Sequence, residues 1–139
     1  MRQHQDKITI ATKGQGLYEF TSEARAFVKK SGVATGQLTL YCRHTSASLV
    51  IQENADPDVQ RDLKEFFRRL IPEDSAWIVH RTEGPDDMPA HIKSAVTQVS
   101  LSVPITGGKL ALGTWQGIFL FEHRSSEHRR EVVMHVMGE

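Results

Sequence analysis

Several stretches of the chain alternate apolar and polar residues with the two-residue period of a half-buried strand. From Gly36 to Arg43, Leu38, Leu40 and Cys42 fall on one side and Thr39, Tyr41 and Arg43 on the other. Ile8 and Ile10 mark a strand within Lys7 to Thr12, and Gly16 to Phe20 resumes an extended pattern after Lys13-Gly-Gln-Gly16. This predicts two strands joined by a glycine turn. Leu49-Val-Ile51 and Trp77 to Arg81 read as short strands. The last third adds Ser100 to Ile105, Lys109 to Leu112, Gly117 to Phe121 and Arg130 to Val136, with Thr106-Gly-Gly108 as a hairpin turn. Ile118 to Phe121 is apolar without a break, which predicts a strand covered on both faces.

The helical period occurs three times. Thr21 or Ser22 is the expected cap of a short helix carrying Ala24, Phe27 and Val28, ending at Ser31-Gly32 and adding little to the core. Asp56 as cap, Pro57 in the first turn and Asp58 at the positive end open a second helix. Its stripe of Val59, Leu63, Phe66, Phe67 and Leu70 runs until Pro72. Pro89 begins a third, with Ile92, Ala95, Val96 and Val99 as the predicted apolar side and His91 in the first turn beside it. Neighbouring strands and few helices predict an α+β fold, mainly an antiparallel sandwich with two or three helices.

At 139 residues the chain fits one domain, spanning 1–139. Seventeen basic residues balance 17 acidic ones, so no bulk charge draws the protein to nucleic acid or to an anionic membrane. No apolar run reaches membrane-spanning length, and the single cysteine, Cys42, has no partner within the chain. A cytoplasmic protein is expected.

Three histidines stand beside unusual polar chemistry: His44 in Arg43-His-Thr-Ser-Ala-Ser48, His91 after Asp86-Asp-Met-Pro-Ala90, and His123 in Glu122-His-Arg124. Imidazole is a frequent ligand of zinc-like ions, and three such ligands leave a coordination position open. Against this, the three are far apart in sequence and lack a ligand-pair spacing, so satisfied structural or surface histidines are the alternative. His4, His80, His128 and His135 read as structural. Glu53 can serve as general acid or base or simply solvate a loop, and Asp86 and Asp87 can orient a ligating histidine, bind a divalent cation through oxygen, or open the helix. Arg124, next to His123, and the Ser46 hydroxyl are candidates for an anionic substrate, whereas Arg129 and Arg130 read as a solvated face. Ser46 lacks the elbow motif that would make it a nucleophile, and Cys42 reads as core.

The segment Ser100-x-x-Val103-x-Ile105-x-x-Gly108-x-x-x-x-Gly113-Thr-Trp-Gln-x-Ile118 resembles the signature of the YjbQ-type family, proteins labelled secondary thiamine-phosphate synthase. His44-Thr-Ser-Ala-Ser-Leu49, Glu53-Asn54 with Asp56-Pro57, Glu83-Gly84 with Asp86-Asp-Met-Pro89 and His91-Ile-Lys93, and Glu122-His-Arg124 are similar to further blocks of that family, in order from Leu40 to the C-terminus. The resemblance implies a compact α+β homotrimer with a polar cleft, in which His44, His91 and His123 hold a metal, zinc above all, with magnesium the alternative for a pyrophosphate substrate. It further implies an enzyme of thiamine-phosphate synthase type acting on a small phosphorylated metabolite. The expected roles are His44 and Glu53 in catalysis, and Ser46, Asn54, Trp115, Gln116 and Arg124 on the substrate. A non-catalytic trimer binding metal or phosphometabolite is the alternative.

Overall fold

Alternation along 36–43 becomes strand β3 (Thr35–Cys42), with Leu38, Leu40 and Cys42 buried as the pattern requires. The computed structural model describes residues 1–139. In chain order the elements are β1 (Arg2–Lys13), β2 (Gly16–Glu19), α1 (Thr21–Ser31), β3, β4 (Ala47–Glu53), α2 (Pro57–Leu70), α3 (Asp87–Val96), β5 (Ser100–Thr106), β6 (Lys109–Leu110), β7 (Gln116–Glu122) and β8 (Glu127–Gly138). They form two antiparallel sheets, β1-β8-β3-β5-β6 and β2-β7-β4, whose apposed faces enclose the core. The fold is α+β with three helices, as the sequence predicts.

Two expectations from the strand pattern change. β1 and β2 are not a hairpin: β1 pairs with β8 from Arg2↔Gly138 to Lys13↔Glu127, whereas β2 pairs with β7 in the other sheet. The segment 43–46 is a corner between β3 and β4, which belong to different sheets. Trp77 to Arg81 forms no strand; it is a turn that buries Ile78 and leaves Trp77 and Val79 outside.

α1 ends as predicted, with Gly32 left-handed at φ 71° and donating to the Lys29 carbonyl. Its start differs. Neither Thr21 nor Ser22 caps it; the Thr21 hydroxyl donates to Glu19 and accepts the Ile118 amide, tying the helix to β7. Phe20, Ala24 and Val28 join the core, so its share of packing exceeds the expectation. α2 starts as predicted, the Asp56 carboxylate accepting the Asp58 amide ahead of Pro57. None of its residues is fully buried: Phe67 meets Phe121 edge-on at 5.3 Å, while Phe66 and Leu70 stay exposed.

α3 departs most. It begins at Asp87, two residues before Pro89, and buries Asp87, Pro89, Ala90, Lys93 and Ser94, while Ala95 and Val96 of the predicted apolar side face outward. Two of the inward polar groups are matched by partners that no local pattern reveals, Arg124 for Asp87 and the Ala47 carbonyl for Ser94.

β7 is buried from Gly117 to Glu122, in agreement with its unbroken apolar run. At its end Glu122 is fully enclosed and accepts five hydrogen bonds, from the Thr12 hydroxyl (2.6 Å), the His123 and Arg124 amides (both 3.1 Å), and Arg130 Nε (2.7 Å) and Nη2 (2.5 Å). Arg130 is therefore buried, contrary to the solvated face expected of it; Arg129 is exposed, as expected. Removing one member of such a pair leaves an uncompensated charge in the interior. Glu122→Ala is expected to cost roughly 3–5 kcal/mol in denaturant unfolding, and Glu122→Leu with Arg130→Met to lose less than the single change. A single variant within about 1 kcal/mol of wild type would show that the pair does not hold the sheets together.

Candidate functional site

The corner after β3 is built around Arg130. Its Nη2 donates to the Ser46 carbonyl (3.3 Å) and hydroxyl (3.0 Å), and its Nη1 lies 3.5 Å from His44 Nδ1. His44 Nε2 accepts the Glu131 amide at 2.7 Å. That nitrogen's lone pair is used, so His44 has no free lone pair there for an ion, and burial followed by the Arg130 charge holds its pKa below the ordinary value. Ser46 is likewise committed to Arg130 rather than open to a substrate.

His123 is 1% exposed and points into the protein, not into a cleft. Its Nε2 lies 2.8 Å from the Ser48 hydroxyl, which also accepts from Thr97, and its Nδ1 has no partner. Burial first, and then the charge of Lys93, push its pKa down to about 3. Lys93 is itself buried, which lowers the pKa of its amine against the pull of Glu73 and Asp86. The nitrogens of His44, His91 and His123 do not gather within ligating distance as a set.

A different set does. Ligand atoms of His80, Glu83, Asp87 and His91 all lie within 4.8 Å of one another. α3 places Asp87 and His91 one turn apart on one face, and the preceding turn brings His80 Nε2 to 2.8 Å from Asp87 Oδ2 and 3.4 Å from Glu83. His91 Nε2 is 3.1 Å from the same Asp87 oxygen, and its Nδ1 is 2.9 Å from the Thr45 carbonyl. A carbonyl can only accept, so the ring proton sits on Nδ1. In a neutral ring the Nε2 lone pair then faces a carboxylate oxygen, an arrangement that a cation or a second ring proton must reconcile. Burial drives the Asp87 carboxyl up, but hydrogen bonding to His80 and the charges of His91 and Arg124 outweigh it and hold the group below the usual range.

Arg124 fixes this turn. Nε donates to Asp86 (2.9 Å), Nη1 pairs with Asp87 (2.9 Å), and Nη2 donates to the Glu83 carbonyl (3.0 Å). The guanidinium is thus engaged by the protein rather than left for a substrate. Asp86 also accepts the Ser125 amide, whereas Asp87 stands directly between two imidazoles. His80, expected to be structural, and Glu83, matched to a family block but given no role, are the members of this set that the sequence did not single out. The available signal was His80-x-x-Glu83 followed by Asp87-x-x-x-His91 at a helix start. His91 also lines a cleft of about 750 Å³ shared with Tyr41, Arg43, His44, Thr45 and Ser94. Of the three predicted histidines, His44 and His91 therefore share a cavity and His123 lies behind its wall.

The remaining candidates lie elsewhere. Glu53 pairs with Gln116 at one end of β4 and β7, and Ala47 with Glu122 at the other. Six residue steps separate these ends by about 20 Å. Glu53 accepts the Asp56 amide, Asn54 donates to Glu19, and the Gln116 side chain accepts the Gly113 amide. A Cβ on Gly117 would come within 2.8 Å of both Asn54 Cβ and Glu19 Oε2, so glycine there permits close packing. Trp115 alone of this group is exposed and uncommitted.

The buried neutral His123 makes a test of the interior. Its folded pKa lies below the unfolded one, so its contribution is complete above about pH 6.5 and is lost as pH falls toward about 3, with a slope near 1.4 kcal/mol per pH unit. His123→Asn is expected to lack that slope, so that the wild-type advantage in unfolding free energy measured at pH 7, 6, 5 and 4 shrinks as pH falls. Parallel pH profiles for the two proteins would contradict a buried neutral ring.

Comparison with known proteins agrees with this architecture. Residues 6–139 match the family model described as UPF0047 protein YjbQ-like. A UPF0047 protein of Synechocystis sp. is 59% identical over 138 residues, covering 99% of this chain and 94% of the relative. The YjbQ protein of Salmonella typhimurium is 45% identical over 139 residues, covering 98% and 99%. Among solved structures, a YjbQ/UPF0047 family protein of Clostridium acetobutylicum superposes with a TM-score of 0.87 at 32% identity, covering 95% and 99%. A YbjQ-like protein of Sulfolobus solfataricus shares the fold, with a TM-score of 0.91 at 24% identity over 99% of each chain. The chain belongs to the UPF0047 YjbQ-like family.

Proposed function

We propose that this protein is a divalent-metal-dependent enzyme acting on a small phosphorylated metabolite in the cleft beside His91. The observation that carries the reading is the His91 ring, whose Nδ1 is tied to the Thr45 carbonyl and whose Nε2 faces Asp87 among His80 and Glu83. Two imidazoles and two carboxylates suit zinc and its first-row neighbours better than magnesium, which prefers oxygen ligands. A bound ion would supply Lewis-acid polarisation of an anionic substrate.

The protein's own groups have distinct tasks on this reading. Asp87, held ionised, is the fixed anionic ligand, and Arg124 keeps the turn in register. Arg43 meets Glu131 only in an exposed pair, so it can exchange that partner for a phosphate in the cleft. Glu83, the most exposed of the four, can take up a proton from water or a substrate hydroxyl. The joining of a pyrimidine diphosphate to a thiazole phosphate is then a side activity, because pyrophosphate departure ordinarily uses magnesium on oxygen ligands.

A second reading, a non-catalytic trimer binding metal or phosphometabolite, draws support from apolar side chains left in water: Trp77 is 68% and Val79 92% exposed, beside the ligand turn, and Phe66 and Leu70 are also uncovered. No helix is long and apolar enough to cross a membrane, and a cytoplasmic location is part of the proposal.

Tag-free protein is expected to carry close to one equivalent of zinc or a related ion by mass spectrometry, and His80→Ala with His91→Ala to reduce it at least tenfold. Equal, negligible metal in both would overturn the reading. Turnover of phosphorylated substrates that disappears in Glu83→Gln while metal is retained separates the enzyme from the binder. For the assembly, light scattering is expected to give three times the 15.7 kDa of the chain; a monomer mass would refute the trimer.

A further inference from the structure

A second cavity, of about 540 Å³, lies between α1 and the β5–β6 turn. Its floor is Val28 and Leu110, both buried, and its other side chains are Arg25, Lys29 and Lys109. No acidic residue lines it, and none of the three cations takes part in an ion pair, although the chain as a whole carries as many acids as bases. Lys29, in the last turn of α1, has an ordinary explanation in the helix dipole. Arg25, a turn earlier, and Lys109, on another element, do not. The connecting Gly107 and Gly108 have φ of 57° and 78°, and nothing lies within 4 Å of where a Cβ would stand on either. The backbone is therefore open to close approach, and the Gly107 amide, outside both strands, donates to no protein acceptor.

We propose that this cavity binds a small organic monophosphate, its phosphate held by Arg25, Lys29 and Lys109 and its apolar body resting on Val28 and Leu110. Unpaired cations converging from two elements supply the charge for a dianion, and the volume falls in the range of metabolite pockets. The site is separate from the His91 cleft. β3 pairs with β5 from Thr35↔Thr106 to Tyr41↔Ser100; the basic cavity adjoins the first end and the cleft the second. Six residue steps place them about 20 Å apart. The proposal does not depend on the metal reading.

Phenyl phosphate, inorganic phosphate and phenol serve as probes in titration calorimetry at low salt. Phenyl phosphate is expected to bind more tightly than either of the others, and Arg25→Ala with Lys109→Ala to weaken it at least tenfold while leaving the unfolding midpoint in place, since both side chains are exposed. His91→Ala is expected to leave unchanged the share of this binding that Arg25→Ala with Lys109→Ala removes. Absence of heat in wild type, equal affinity in the double variant, or loss of that share in His91→Ala would each overturn the proposal. So would association with phosphatidylglycerol vesicles without binding of phenyl phosphate, which would make the basic patch a membrane contact.

Discussion

The enclosed Glu122–Arg130 pair is the constraint from which the candidate site follows. Glu122 ends β7 in one sheet, Arg130 lies on β8 in the other, and Thr12 of β1 adds its hydroxyl. Two charges taken out of water are tolerable only when their remaining hydrogen-bonding capacity is met. Five donors satisfy the carboxylate, and the guanidinium supplies the Ser46 carbonyl and hydroxyl at the corner where the chain changes sheet. Because Glu122 also holds the His123 and Arg124 amides, it sets where those two side chains leave the strand. His123 turns inward, and Arg124 turns toward 83–87.

From Arg124 the geometry passes outward through charge. Its guanidinium holds Asp86, Asp87 and the Glu83 carbonyl, and Asp87 in turn meets His80 and His91. Hydrogen bonding to His80 and the charges of His91 and Arg124 outweigh burial and favour the ionised form of the Asp87 carboxyl. α3 can therefore turn a polar side inward. Asp87 and Ser94 have partners there, and Lys93 adds a buried positive charge that disfavours protonation of His123.

The other end of β7 has a different task. Gly113-Thr-Trp-Gln-Gly117 closes on itself through Gln116 and packs Gly117 against Asn54 and Glu19. Its polar residues satisfy a tight turn instead of reaching into the His91 cleft, which accounts for an identifying motif that lies remote from the cluster of His80, Glu83, Asp87 and His91. Glu53, at the same end, accepts the amide of the α2 cap residue. Motif density thus marks two places in this fold, one that positions strands and one that brings two imidazoles and two carboxylates together.

Local pattern alone determined a large share of this. Alternation at Leu38, Leu40 and Cys42, the unbroken run at Ile118–Phe121, Asp56-Pro57 and Gly32 each specify an element because strand pleat, full burial, capping and left-handed backbone act within a few residues. His91 was legible as a candidate ligand, but Asp87 only as a carboxylate near it, because the local pattern starts the helix at Pro89 and not at Asp87. Only the tertiary structure decided which sheet β1 and β2 would join, that Arg130 would be buried, and that His80 and Glu83 would meet Asp87 while His123 would not. Those outcomes rest on partners many positions away, Thr12 and Arg130 for Glu122 and Arg124 for Asp87. A polar side chain reads as surface until the group that neutralises it is known.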